Sequence, residues 1–525
     1  MDCGGCGLEP RRPAGGGGTA GGRSPRHLLR PPLAAGPGRR CTSPTDGRPF
    51  LSRGTAGLDA GWQHDRVRPL AGGAATAGRP VGLGFVDRGG RNARRGRRAP
   101  AGRKQGTVSG GAWADLEAGL LECRPLDLQQ ALPLLRSSLP EVAALDEACE
   151  GRREGRPGES ALEHTWQVLV RLRPRLRGLP AGRARALCLA ALLHEVGRSP
   201  LAGPVQRRAS HEQAGAALAR DALFRLRLAG MDRDEVVYLV RLHGLPSAFG
   251  AREAQEARML RLAWTVDTRL LYLLASADLE ASTIVKGGTA AASLAAFRAR
   301  CEELGVFGRQ PPQLIAPRRW RQLAPGDARL RRRTAGELRF WRLKGRIATP
   351  EQAEAWLATQ PPRPGGTLYL PVGVPGSGKS TWVAKQLPEA HIISMDEMRE
   401  RLTGSRADQS RNAEVYRICR GALARALRAG ETVVWDAQSH TWAARQGLLA
   451  LARESHAYVI VVYMDVPLTV ALARNAGRAV TVPEAVIVRS YRALQEPRPF
   501  EAEELWRVDV DGHCTRHVSD EEAGA

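Results

Sequence analysis

The sequence predicts a multidomain α and α/β protein: an all-α domain followed by an α/β domain with a parallel sheet, preceded by a disordered basic segment. Three observations predict this. Residues 1–110 hold 20 Lys and Arg against 6 Asp and Glu, and 26 of the 58 glycines, with no sustained apolar period. Between about Trp113 and Glu280, apolar residues recur at three and four, the spacing of buried helix faces. Beyond Gly366, short apolar runs alternate with helical stretches of about 10–20 residues, the pattern of parallel strands with helices on the sheet faces. At 525 residues the chain can hold two or three domains, at roughly 100–200 residues each.

The opening segment, residues 1–110, cannot bury enough apolar surface to offset its ordering entropy, so disorder is expected there. Of the formal net charge of +24, the remaining 415 residues supply only the excess of 58 Lys and Arg over 48 Asp and Glu. A basic arm of this kind can bind nucleic acid by neutralising phosphates. The favoured expectation is instead a natural start downstream, with the Val108 codon one candidate, because no methionine follows Met1 before Met231. The segment lacks the basic start, apolar run and small-residue cleavage site of a secretory signal. No run approaches 18 apolar residues, so no membrane-spanning helix is expected. The nine cysteines are scattered, and Cys3 and Cys6 form a lone CxxC without a second pair at zinc spacing. Reduced cysteines in a cytoplasmic protein follow.

Residues 111–285 read as the all-α domain. "LEHTWQVLVRLRPRL", "RARALCLAALLHEVG", "HEQAGAALARDALFRLRLAG" and "RDEVVYLVRLHG" carry the helical period, and several end in Gly or run into Pro, as helix stops do. Residues 286–360 are a basic connector with further helical pattern in "LAAFRARCEELG" and "TPEQAEAWLA". The turn-rich "QPPRPGG" opens residues 361–525, whose strands are "TLYLPV", "HIIS", "ETVVWDA" and "AYVIVVYMDV".

"GVPGSGKST", Gly373 to Thr381, follows the first of these strands and opens a helix, the context in which GxxxxGK[ST] cradles phosphates. Gly373, Gly376 and Gly378 let backbone N–H groups turn inward, with Ser377 and Thr381 alongside, and the helix N-terminus adds a favourable field. Lys379 is placed to reach the β- and γ-phosphates of ATP and Ser380 to hold Mg²⁺. Arg outnumbers Lys 73 to 5, so a Lys at this position stands out against the composition. "ISMDEMRERL" sets Asp396 just after the second strand with Arg399 one turn on; an Asp there can take a proton from an acceptor hydroxyl, and an Arg can hold an acceptor phosphate. Asp436 ends the strand "VVWDAQ", suited to acceptor or outer metal contacts. Arg474 and Arg478 sit on a segment able to close over donor phosphates; solvated helix faces are the plain alternative in so Arg-rich a chain.

This combination, together with the Arg-Asn…Arg…Val-Pro segment, resembles the polynucleotide 5′-kinase family of P-loop phosphotransferases over about residues 365–510. The resemblance implies that Lys379 and Ser380 bind ATP·Mg. It makes Asp396 the general base, has Arg399 orient the acceptor, and has Arg478, with Arg474, stabilise the transferring phosphoryl group; Asp436 and Arg474 are also expected at the nucleotide from their positions.

The helical domain holds four histidines, His164, His194, His211 and His243, each near a helix end, with Asp278 following. A lone His of this kind is usually a satisfied core residue; four, with acids at Glu195 and Asp278, suggest a metal site. The order H…HE…H…H…D resembles the HD superfamily of metal-dependent phosphohydrolases over about residues 155–285. That implies one or two divalent transition ions (Mn, Ni, Co, Cu or Zn) held by these six residues. Glu195 stands where the family signature has Asp, and Arg198 where many members have Lys. Glu is one methylene longer but still a carboxylate able to bind a hard cation.

The pairing of the two domains resembles the bacterial HD–polynucleotide kinase end-healing enzymes. That resemblance implies RNA or DNA ends as substrate, a 2′,3′-phosphatase or phosphodiesterase beside the 5′-kinase, and a nucleic-acid ligase as partner. Two other readings remain open: a P-loop small-molecule kinase with a degenerate, regulatory HD domain, and a non-enzymatic, nucleotide-sensing nucleic-acid-binding protein.

Overall fold

The computed structural model describes residues 113–114, 117–119, 127–147, 160–202, 211–282, 288–324, 327–359 and 365–518, all within a compact unit spanning Arg98–Ala525. The disorder expected of 1–110 and the Val108 start lie outside the described residues. No helix among the described residues is long and apolar enough to cross a membrane.

The helical body is built from α1 (Leu128–Ser138), α2 (Ala161–Leu176), α3 (Ala181–Leu193), α4 (His211–Arg225), α5 (Gly230–Leu242), α6 (Glu256–Thr265) and α7 (Thr268–Ala281). Its centre is α3. From Leu187 to Leu193 every residue of that helix is buried, as expected of a helix apolar all round. It delivers its C-cap, His194, into the core. The neighbouring helices are fixed by local chemistry. Ser160 and Glu163 form a reciprocal capping box at the start of α2, and Asp267 accepts from the N–H groups of Arg269 and Leu270 at the start of α7. The turn after Glu195 lies so close to α4 that a Cβ on Gly197 would sit 1.9 Å from the His211 carbonyl oxygen. Only glycine permits this approach, which brings the start of α4 against the end of α3.

The connector holds α8 (Thr289–Glu303), α9 (Pro317–Leu323), α10 (Ala328–Leu343) and α11 (Pro350–Ala358). Phe297 and Cys301 of α8 join the helical core, whereas Trp320, Leu338 and Leu357 form a small core of the connector's own.

The α/β part runs β1 (Thr367–Val372), α12 (Lys379–Gln386), β2 (His391–Ser394), α13 (Met395–Thr403), α14 (Asn412–Arg428), β3 (Thr432–Asp436), α15 (Trp442–Glu454), β4 (Tyr458–Met464), α16 (Leu468–Ala476), α17 (Glu484–Ala493), β5 (Glu504–Val508) and β6 (Cys514–Val518). The strand order is β2-β3-β1-β4-β5-β6. The first five strands are parallel, and β4 is buried along its whole length, as a central parallel strand must be. The expectation of a parallel sheet is modified at one edge, where β6 pairs antiparallel with β5. Strand order reverses around β1, between β3 and β4, so the loop leaving β1 lies in the crevice at the carboxyl ends of the strands.

Buried ion pairs join the helical body to the sheet. Arg220 of α4 is 1 % exposed; it pairs with Glu496 and donates to the carbonyls of Tyr491 and Leu494, both at 3.0 Å. Asp465, just after β4, accepts from Arg233 of α5 and from Arg507 of β5, and Arg507 also pairs with Asp234. Tyr238 donates to the Glu496 carbonyl at 2.7 Å, and Tyr491 to Asp221 at 2.6 Å. Replacing Arg220 with Ala would leave the Glu496 carboxylate buried without its cation. Loss of one partner of a buried pair costs about 3–5 kcal/mol, and denaturant unfolding of Arg220→Ala should show a loss of that size. The double variant Arg220→Met/Glu496→Leu should recover most of it; a single-variant loss below about 1 kcal/mol would mean that the pair is solvated.

Candidate functional sites

Among the described residues, the side chains named from the sequence gather in two separate clusters. The first surrounds the loop between β1 and α12. Gly376 and Gly378 have φ of +82° and +101°, and a Cβ on Gly376 would lie 2.2 Å from the Ala471 carbonyl oxygen of α16. The loop thus needs glycine for both its turn and its contact. Lys379 opens α12 and donates to the loop's own carbonyls, Gly373 at 2.9 Å and Val374 at 3.1 Å. Burial lowers its pKa to about 8; Arg478 pushes the same way, and Asp436 and Asp396 oppose. A cavity of about 520 Å³ opens over the loop, lined by Ser377, Lys379, Ser380, Thr381, Arg474 and Arg478 among others. Arg474 is a brace: it donates to the Ser377 carbonyl at 3.0 Å and to the Val510 carbonyl, in the β5–β6 turn, at 2.6 Å.

Asp396 and Arg399 lie on α13, which Ser394 caps through the Glu397 N–H. The Asp396 carboxylate is 68 % exposed, while Arg399 is buried beneath it. Arg399 Nη1 donates to Asp396 at 2.5 Å and to the Arg406 carbonyl at 3.0 Å; Nε and Nη2 donate to Asn412 Oδ1 at 3.1 and 3.0 Å. One of its five N–H groups is left for an acceptor. Asp436 ends β3 in register with Ser394, which hydrogen-bonds to it. Burial raises the Asp436 pKa, against the pull of Lys379. Two residues here escaped the sequence reading. Asn412 fixes the Arg399 fork. His440, four residues beyond Asp436, keeps a buried Nδ1 without a partner among the described residues, and burial, then Lys379 and Arg445, lower its pKa to about 4. The polar run after "VVWD" was the available signal.

The second cluster lies inside the helical body. Donor atoms of His164, His194, Glu195 and Asp278 all fall within 4.8 Å of one another, and so do those of Glu195, His211 and His243. All six histidine and acid positions named from the sequence therefore meet, and Glu195 belongs to both groups. Helix ends place them: His164 in the first turn of α2, His194 and His243 capping α3 and α5, His211 opening α4, and Asp278 in the last turn of α7. His194 Nδ1 donates to the Ala191 carbonyl and His243 Nδ1 to the Val240 carbonyl, both at 2.8 Å. The Nε2 atoms of the two rings lie 3.8 and 3.9 Å from Glu195 Oε1. His164 Nε2 lies 2.9 Å from Asp278 Oδ1, and Arg198 pairs with the other Glu195 oxygen.

The donor set fits a divalent transition ion. His194 Nε2 and His211 Nε2 are buried with no hydrogen-bond partner among the described residues. Burial, with His243 adding to it, lowers the His194 pKa to about 3, and burial lowers that of His211 to about 4. Both rings are thus held neutral, the form that ligates metal. Imidazoles mixed with carboxylates favour first-row transition ions over Mg²⁺ or Ca²⁺.

A family model described as an AAA domain matches residues 368–497, from β1 to beyond α17. No curated protein matches the chain. Residues 368–497 form a P-loop domain of nucleotide-binding, kinase-like type, which implies ATP and Mg²⁺ as its ligands.

Proposed function

We propose that this chain is a nucleic-acid end-healing enzyme: its P-loop domain transfers the γ-phosphoryl group of ATP to a 5′-hydroxyl, and its helical body is an HD-type phosphohydrolase acting on 2′,3′-cyclic or terminal phosphates. The observation that carries this reading is the presence, in one compact unit, of a phosphate-loop cavity with an exposed Asp396 and a buried six-residue His and carboxylate cluster.

In the kinase step the 5′-hydroxyl oxygen bonds to the γ-phosphorus while the bond to the bridging oxygen of ADP breaks, and Asp396 takes the hydroxyl proton. Mg²⁺ bound with ATP neutralises phosphate charge. Lys379 leaves its loop carbonyls for the β- and γ-phosphates, and Arg478, whose side chain makes no hydrogen bond among the described residues, closes on the transferring group. Arg399 holds the Asp396 carboxylate at its station, with one N–H left for the acceptor phosphate. An excess of 58 basic over 48 acidic residues beyond the first 110 suits a polyanionic acceptor.

In the helical body, a bound transition ion supplies Lewis acidity for attack of water on a phosphoester. His194 and His243 present Nε2 because backbone carbonyls hold their Nδ1–H groups, and Glu195 lies between the two donor groups. The regulatory reading, a small-molecule kinase with a degenerate metal site, draws support from one contact, the Arg198 pair on Glu195. The deciding assay supplies ATP, Mg²⁺ and a 5′-OH oligonucleotide, and separately an oligonucleotide ending in a 2′,3′-cyclic phosphate.

Lys379→Ala should weaken ATP binding and abolish transfer, whereas Asp396→Ala should keep ATP binding and lose about 10²–10⁴ in rate. Both should leave phosphate release from 3′ ends intact; near wild-type transfer by Asp396→Ala would remove it from the base position.

The affinity of the free protein for ATP should fall as pH rises through about 8, because Lys379 loses its proton there. Titration of ATP binding between pH 7 and 9 reads this directly, and a flat profile would place the Lys379 pKa elsewhere.

Glu195→Ala and His194→Ala should lower metal content and end phosphohydrolysis, whereas Glu195→Asp should keep or raise it. Metal content measured with phosphate release decides the matter: a metal-free wild type with a silent Glu195→Ala would leave the kinase as the sole activity.

A further inference from the structure

Apart from these two clusters, the described residues enclose a cavity of about 630 Å³ where the helical body, the connector and the last strand of the sheet meet. Its volume lies in the range of small-molecule sites. It shares no lining residue with the donor cavity. The donor cavity takes in the turn between β5 and β6, whereas this one takes in the far end of β6, Arg516 to Val518, paired with Trp506 to Glu504.

Its walls are one-sided in charge. Arg339, Arg342, Arg498 and Arg516 line it, and no carboxylate does. Arg498 is only 8 % exposed. Its Nη2 donates to Glu235 at 2.9 Å, but Nε and Nη1 are buried with no partner among the described residues. Arg342 repeats the pattern: Nη1 donates to the Pro312 carbonyl at 2.6 Å, and its Nε is buried and without a partner. Buried cationic N–H groups without acceptors are costly, and the two arginines that carry these three both line one cavity, which marks its wall as a place for an anion. Beside them Trp264 and Phe500 stack, with centroids 5.8 Å apart and planes 19° apart, and both line the cavity. An aromatic wall next to anion donors matches a ligand that is flat and aromatic at one end and oxyanionic at the other.

We propose that this cavity binds a nucleotide unit, with its phosphate on Arg498 and Arg342 and its base against Trp264 and Phe500, as a site apart from both chemical centres. The unit comes either from a free mononucleotide or from one residue of a single strand; the recognition chemistry is the same. This assignment does not depend on the end-healing reading.

The test uses the full chain with the donor cavity saturated by Mg²⁺ and a non-hydrolysable ATP analogue. AMP, and separately a short single-stranded oligonucleotide, are titrated by calorimetry. Saturable binding of at least one probe is expected. It should weaken about tenfold or more in both Trp264→Ala and Arg342→Glu, as loss of one stacked base or one phosphate contact implies. Thermal unfolding of the two variants serves as the control for folding. Binding of AMP assigns the site to free nucleotides, and binding of the strand alone assigns it to nucleic acid. The proposal is overturned if neither probe binds, or if both folded variants bind like the wild type.

Discussion

The carboxylate of Asp465 is the constraint on which the arrangement of this protein rests. It stands just past β4, between Arg233 of the helical body and Arg507 of the sheet, and it is buried with both. Removing three charged groups from water is expensive, so such a cluster persists only when its geometry leaves few donors unmet. What it secures is orientation rather than net stability. Because arginine does not lose its proton at any pH a protein survives, the basic side of this junction is constant, which lysine would not guarantee.

From that junction α4 connects the two halves. It begins at His211, in the His and carboxylate cluster, and it carries Arg220 and Asp221 to the α/β part. Asp221 accepts from Tyr491 and from the Leu468 N–H, which begins the helix bearing Arg474. One end of α4 therefore lies in the His and carboxylate cluster, and Asp221 near its other end holds the start of the helix that bears Arg474. Both centres also use backbone carbonyls to fix their reactive side chains: Ala191 and Val240 orient imidazoles, and Gly373 and Val374 hold the Lys379 ammonium.

How much of this the sequence disclosed depended on the type of signal. The helices of residues 161–281, the strands β1 to β4 and the phosphate loop were legible because apolar period and glycine spacing are local properties. The six His and carboxylate positions could be collected because histidine is scarce in this chain and each lay at a helix end. β5 was missed: "ELWRV" interrupts its apolar run with Arg507, and the interruption makes sense only once Asp465 and Asp234 are found beside it. For the same reason the buried arginines could not be told from the rest. Among 73 arginines, nothing local distinguishes Arg220, Arg445 or Arg453 from a solvated side chain, since their partners Glu496, Glu501 and Glu503 come from the segment between α17 and β5, distant in sequence. The partners of Arg399 were hidden likewise, because Asn412 lies beyond a loop that carries no motif.

The reversal of β6 bears on a hazard that every open sheet faces. A bare strand edge offers unpaired N–H and C=O groups to any other bare edge, and sheets join in this way into aggregates. Here β6 is short, and its first three residues, Cys514, Thr515 and Arg516, are exposed, so it offers a second molecule little apolar edge to add to. At the opposite border β2 is shorter still, four residues, with the His391–Glu431 pair at its start. Both borders are thus poor templates for strand addition, and the sheet can remain open without polymerising.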